Sequence, residues 1–221
     1  MHGYTVDRKM IDSGRPFSIN SPGMELLQEL PDLSAYLAAD EVIDHEHPLV
    51  RQEVQRLKAE SGDAYSYAKA AFEFVRDAIP HSNDAGDPRV TWRASDVLRL
   101  KTGICYAKAH ALAALLRAEG IPTAFCYQNL GVIHGLVAVR LPGRDGRDGQ
   151  GGWARQDPRG NKPGVDARFS LDRERLAFPV RPECNEVDYP VLYAAPHPVV
   201  LRALQTATDR ESLWPHLPTE L

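Results

Sequence analysis

Apolar residues recur at helical spacing through the first half of the chain and at strand spacing beyond residue 122. Leu49, Val50, Val54 and Leu57 share a helical face behind Pro48, which suits a first helical turn, and Gly62 stops that helix. Asp63 caps a second helix with the face Tyr67, Ala70, Ala71, Phe74, Val75 and Ala78, ended by Pro80. Residues 81–91 carry Ser82, Asn83, Asp84, Gly86, Asp87 and Pro88 and predict a surface loop. Ser95 is expected to cap a short helix running to Leu100, which Thr102-Gly103 breaks. From Cys105 to Glu119 the residues are strong helix formers, closed by Gly120 and Pro122.

The period then becomes two. Residues 123–127, 133–140 and 153–156 predict strands, the last two joined by a hairpin tip of Gly and charges from Gly143 to Gly152, expected to be mobile. Near the start, Val6 and Ile11, then Phe17 and Ile19, suggest short strands separated by Ser13-Gly14 and closed by Ser21-Pro22-Gly23. Five prolines between Pro179 and Pro198 predict a mostly extended tail with one helix near Val199 to Thr206. Helices first and an antiparallel sheet second is the α+β pattern. The expected division is a mixed N-terminal extension over 1–62, a core over 63–178 and a Pro-rich extension over 179–221, together one structural domain.

Composition narrows the classes. The 221 residues are 43% hydrophobic with 16 Gly and 17 Pro, so whole-chain disorder is excluded. The net charge of −4 argues against a non-specific nucleic-acid binder, and the arginines at 168, 173, 175 and 181 are interleaved with acids. The longest strictly apolar run, Ala111 to Leu116, is far too short to span a membrane, and the first residues lack the apolar stretch of a secretory signal. Cys105, Cys126 and Cys184 form neither an even framework nor a Cys-x-x-Cys pair, so the expectation is a reducing, cytoplasmic setting without disulfide or zinc. His45-Glu46-His47 offers two metal ligands at most and no evident third.

Cys105 follows a helix-breaking turn and opens the long Ala-rich helix. There, free amides and the positive end of the helix dipole favour a thiolate over a thiol and can receive an oxyanion. A thiolate nucleophile needs a base, and the base an orienting acceptor. His134 sits near the start of the second strand and Asp157 ends the third, before Pro158. On strands joined by a hairpin, both lie at the ends away from the tip, where imidazole and carboxylate can stand side by side. Taken singly, each has an ordinary alternative: a buried thiol, a core histidine, a turn-forming Asp-Pro.

Together the residues become recognisable. Thr102-Gly103-Ile104-Cys105-Tyr106-Ala107-Lys108-Ala109, then Ala114-Leu115-Leu116-Arg117-Ala118-Glu119-Gly120-Ile121-Pro122-Thr123, resembles the core of the bacterial transglutaminase-like superfamily. His134 matches that family's strand His and Asp157-Pro158 its Asp-Pro. The helices over Phe74 to Ile79 and Ala94 to Leu98 also fit, so the resemblance runs from about Ala70 to Pro158. It implies a papain-like α+β fold with helices packed on an antiparallel sheet. It also implies a Cys-His-Asp triad of Cys105 (nucleophile), His134 (base, then acid) and Asp157 (orienting anion), working through a thioester without a cofactor. Substrates of the class are carboxamides or peptides, such as a protein glutamine or a short peptide; hydrolysis is favoured over acyl transfer.

Three positions depart from the family. Gly135-Leu136 replaces the usual Ala-Trp after the His, Arg159 replaces the Thr after Asp-Pro, and Arg99 stands where a papain-type oxyanion Gln would lie. The second oxyanion donor is therefore open, with Asn83, His81, Trp92 and Gln128 as candidates. Trp92 and Trp153 are expected to border the thiol cleft, and Asn83 and Gln128 to touch substrate. Two other readings stay open: a non-catalytic binding module on the same scaffold, or an arylamine N-acetyltransferase-like acyl carrier. The latter's Arg-Gly-Gly-x-Cys context is here Lys101-Thr102-Gly103-Ile104-Cys105.

Overall fold

The Ala-rich stretch that opens at Cys105 becomes the centre of the fold. In the computed structural model, which describes residues 24–142 and 152–221, it forms helix α5 (Cys105–Arg117), and every residue after Cys105 is buried. Small side chains along its flanks let α1 (Pro48–Ala59), α2 (Ala64–Ala78) and α4 (Ala94–Leu100) pack against it on one side and the sheet on the other. Leu112, Leu115 and Leu116 are fully buried, each contributing about 1.5–3 kcal/mol by leaving water. At its end, Gly120 takes a left-handed conformation (φ +70°) that lets the Ile121 amide bond back to the Leu116 carbonyl at 3.1 Å.

The strands are β2 (Thr123–Asn129), β3 (Ile133–Arg140) and β4 (Trp153–Gln156), antiparallel, with Val137 opposite Gln156 and Gln128 opposite His134. Both sheet faces are covered, and strand alternation sorts the side chains. Phe125, Tyr127, Val137 and Val139 join the helices in the main core, whereas Ala124, Cys126, Leu136 and Ala138 meet Leu26, Tyr36, Trp153 and Leu192 in a second cluster. The main core also takes in Val50 and Val54 of α1 and Val200, Leu204 and Leu213 from the C-terminal helices.

Several expectations change. Residues 82–85 form a helical turn, α3 (Ser82–Ala85), within the expected loop. Ser95 does not cap α4; instead Asp44, 51 residues earlier, accepts from the Ser95 amide at 3.0 Å, and the Val42 carbonyl accepts from Ala94 at 2.9 Å. The tail holds strands: β5 (Val187–Asp188) extends the sheet to the order β4-β3-β2-β5, and β6 (Val191–Leu192) pairs in parallel with β1 (Leu27–Gln28). The helix α6 (Pro198–Thr206) is followed by α7 (Arg210–Leu213), which Asp209 and Ser212 cap reciprocally. The strands expected at Val6, Ile11, Phe17 and Ile19 and the hairpin tip up to Gly151 lie outside the described residues.

Candidate active site

The turn before Cys105 is packed tightly enough to need glycine. A Cβ on Gly103 would come within 2.9 Å of the Ala107 Cβ and 3.1 Å of the Thr91 hydroxyl. That hydroxyl donates to the Thr102 carbonyl at 2.9 Å, and His81 forms a parallel backbone bridge with Gly103 that is completed by the Ser82 amide on the Gly103 carbonyl (3.1 Å). Ile104, the N-cap of α5, is extended and offers no capping side chain. Cys105 is therefore the first residue of a helix whose leading amides have no side-chain partner, and it is partly exposed.

Opposite stands the start of β3. A Cβ at Gly135 would lie 2.6 Å from a ring carbon of Tyr106, and the Tyr106 hydroxyl donates to the Ile133 carbonyl. This glycine, where the family usually carries Ala, is what lets the first turn of α5 approach the strand so closely. The same approach brings Cys105 to the imidazole of His134.

The third residue comes from register. With Val137 opposite Gln156, the residue after β4 falls beside the start of β3, and His134 Nε2 lies 2.8 Å from Asp157 Oδ2. That bond leaves Nδ1 as the ring atom available to the thiol. The Asp157 carboxylate is buried and also accepts from the Ala177 amide at Oδ2 (3.1 Å) and the Arg159 amide at Oδ1 (3.0 Å). Burial opposes its charge, but His134 and these two amides outweigh it and hold the carboxyl below the usual carboxylate range. On His134, burial likewise disfavours the cation, yet Asp157 and the Cys105 sulfur overcome it and raise the imidazole to about 10. The result is a buried imidazole that favours the charged form, bonded to Asp157 and interacting with the sulfur of the partly exposed Cys105.

The surroundings complete the description. Phe178 packs edge-on against His134 with centroids 5.4 Å apart, and the Arg159 guanidinium lies over the same Phe178 ring while bonding to Asp84 at 2.6 Å. Lys108, one turn from Cys105 and fully buried, donates to the Arg76 (3.2 Å) and Ile79 carbonyls at the end of α2. Burial and Arg159 lower its ammonium to about 7. Neither Ala177, twenty residues beyond Asp157, nor Phe178 had any local signal in the sequence. The departure at Arg159 was such a signal, since its backbone and side chain both serve the site.

The expected substrate-contact residues divide. Trp153 does not border the thiol: it is 1% exposed, packs edge-on against Tyr36 and donates its indole N–H to Gln28 at 3.2 Å. It pairs with Arg140, at the far end of β3 from His134, because the register carries the two ends of β4 in opposite directions. Gln128 stands across from His134 but is equally buried, its amide donating to Asp188 (3.0 Å) and to the Phe178 carbonyl (3.3 Å), so it does not meet solvent. Trp92 is half-buried beneath the Arg93 guanidinium, and Asn83 accepts from Arg210 at 3.2 Å on α3, next to His81. His47 caps α1 through the Leu49 amide, and His45 lies against the Leu37 carbonyl.

A comparison with family models matches residues 51–158 to the transglutaminase-like superfamily. Among solved structures, a candidate cysteine protease from Cytophaga hutchinsonii is similar at 17% identity and a TM-score of 0.46 over 61% of this chain. The chain spans under half of that structure, 45% of its length. No curated protein matches the chain. No helix among the described residues is long and apolar enough to cross a membrane. Cys105, His134 and Asp157 all lie inside the segment, residues 51–158, that is similar to the transglutaminase-like superfamily.

Proposed function

We propose that this chain is a thiol-dependent amide or peptide hydrolase in which Cys105 attacks, His134 moves the proton and Asp157 steadies the imidazolium. The observation that carries the reading is the 2.8 Å bond from His134 Nε2 to a carboxylate already holding two backbone amides, with the Cys105 sulfur interacting with the same ring. Thiol-dependent hydrolysis and acyl transfer are the kinds of chemistry that the match to the transglutaminase-like superfamily supports.

In the proposed cycle the Cys105 sulfur attacks the carboxamide carbon, forming a C–S bond while the carbonyl electron pair moves onto oxygen. The Cys105 amide, at the uncapped start of α5, is the first donor to that oxyanion. The C–N bond then breaks, and the departing amine takes its proton from the His134 imidazolium. Water, deprotonated by the same ring, hydrolyses the thioester and regenerates the thiol. Since the acyl-enzyme needs only a nucleophile for its second half, an amine replaces water in the transfer variant.

The test is intact-mass analysis after iodoacetamide treatment at pH 6. One equivalent on Cys105, lost in His134→Ala, is expected; equal, slow labelling in both proteins overturns the triad. Incubation with a glutamine-containing peptide library, with and without an added primary amine, then separates hydrolysis from transfer. Capture of a peptide by Cys105→Ser and wild type alike, with no thioester in either, would assign the scaffold to binding instead. Acetylation of Cys105 by acetyl-CoA would assign it to acyl carrying.

A further inference from the structure

The cycle leaves a buried histidine beside the nucleophile turn without a task. His81 is 8% exposed, and its backbone bridge to Gly103 places it against the segment that delivers Cys105. The hydrogen bond from the Ser82 amide to the Gly103 carbonyl holds the two segments together. Its ring Nδ1 is buried and has no hydrogen-bond partner. An imidazole with one orphaned nitrogen places its proton on the other, because an unmet lone pair costs less than an unmet N–H. That leaves Nε2–H as a donor with no acceptor among the described residues.

The electrostatics suit a neutral donor. Burial, then Arg159, Lys108 and the His134 imidazolium, all disfavour a second cation, and only Asp84, itself paired with Arg159 and Lys162, favours one. These forces hold His81 neutral, at about 3. A group of this kind leaves the cation at His134 undisturbed yet offers an N–H when negative charge appears nearby. Among the other candidates, the Gln128 amide already donates to Asp188 and the Phe178 carbonyl, Asn83 lends its Oδ1 to Arg210, and Trp92 lies beneath the Arg93 guanidinium.

We propose that His81 is the second oxyanion donor of this site, its Nε2–H joining the Cys105 amide on the oxygen of the tetrahedral intermediate. The proposal rests on the Cys105 nucleophile reading above, and two reagents separate the two claims. Iodoacetamide alkylation needs a reactive sulfur but builds no oxyanion. p-Nitrophenyl acetate acylates the thiol through one: the C–S bond forms, the carbonyl pair moves to oxygen and returns, and the C–O bond to p-nitrophenolate breaks.

In His81→Ala the acylation rate of Cys105 is expected to fall about 10²-fold, the usual effect of losing one oxyanion donor, while alkylation stays close to wild type. His81→Gln, which restores an N–H donor, recovers part of the loss, and neither substitution moves the pH dependence of alkylation. The proposal is overturned if acylation and alkylation keep their wild-type ratio in His81→Ala, whether both hold or both fall through a packing defect. It is also overturned if Trp92→Phe, and not His81→Ala, produces the selective loss. If wild-type Cys105 reacts with neither reagent faster than the exposed Cys184, the nucleophile reading fails, and this one with it.

Discussion

Two parts of the α5–sheet region use the same residue types to opposite ends. At the start of α5, Cys105 and His134 are joined by a carboxylate; elsewhere, His110 bonds only a backbone carbonyl inside the main core, and Cys126 is buried in the second cluster on the other face of the sheet. His110 is fully buried, lies edge-on to Phe125 and bonds through Nδ1 to the Trp92 carbonyl at 2.8 Å. Burial outweighs that one bond and lowers it to about 4, while burial pushes the Cys126 thiol up. His134 is as deeply set, yet rises to about 10 because its partner carries a full negative charge. Burial by itself makes cysteine and histidine inert. A compensated anion and a partly exposed cysteine, on the same scaffold, are what distinguish the proposed site.

Breaking that contrast should be most costly at the sulfur. Cys105→Ala is expected to remove acyl turnover by about 10³-fold or more, as loss of a nucleophile does in triad enzymes, whereas Cys126→Ala keeps the rate and lowers only the melting temperature. Rates and melting curves on the two variants check this; equal rate losses would erase the distinction between the two thiols.

Next comes the anion. Asp157→Asn should lower turnover by about 10²–10⁴-fold, because the imidazolium loses its partner and its orientation. Its stability signature has a definite sign. His134 is raised in the fold, so its contribution is complete below its unfolded value near 6.5 and is lost as pH climbs through about 10. Asp157 is depressed in the fold, so its contribution is present above its unfolded value and is lost on acidification. Melting temperature against pH should therefore fall at both extremes in wild type. In Asp157→Asn the alkaline fall should start lower; identical curves would mean that the pair contributes nothing. Nearer the centre of the interface, His110 acts in the opposite sense: its fold resists protonation, so stability declines as pH drops from about 6.5 to about 4.

A smaller effect sharpens the geometry. Gly135→Ala places a methyl 2.6 Å from Tyr106, and overpacking of this kind costs about 1–3 kcal/mol. Because the displaced element carries Cys105, alkylation should slow even where the protein remains folded. Full stability with full alkylation would show that α5 adjusts without moving its first turn.

Much of this was legible. The bounds of α5 and β3 follow from local rules: helix formers closed by Gly120 and Pro122, and alternation from Ile133 to Arg140. Local rules failed where partners are far apart in sequence. Asp44 caps α4 from 51 residues away, and the two-residue strands β5 and β6 exist only because a sheet edge and β1 await them. Trp153 looked like a cleft aromatic because strand alternation says which residues share a face, but not how far along the sheet each lies from the thiol.

What the chain's order of residues determined by itself is the inventory: a cysteine opening a helix, a histidine starting a strand and an aspartate closing the next, each set by turn chemistry within a few positions. What only the folded molecule decided is their electrostatic state. The 2.8 Å bond, the Ala177 and Arg159 amides and the neutrality of His81 arise from groups up to 78 residues apart along the chain. Charge interactions depend on distance through space and on exclusion of water, and neither is set until the chain has packed.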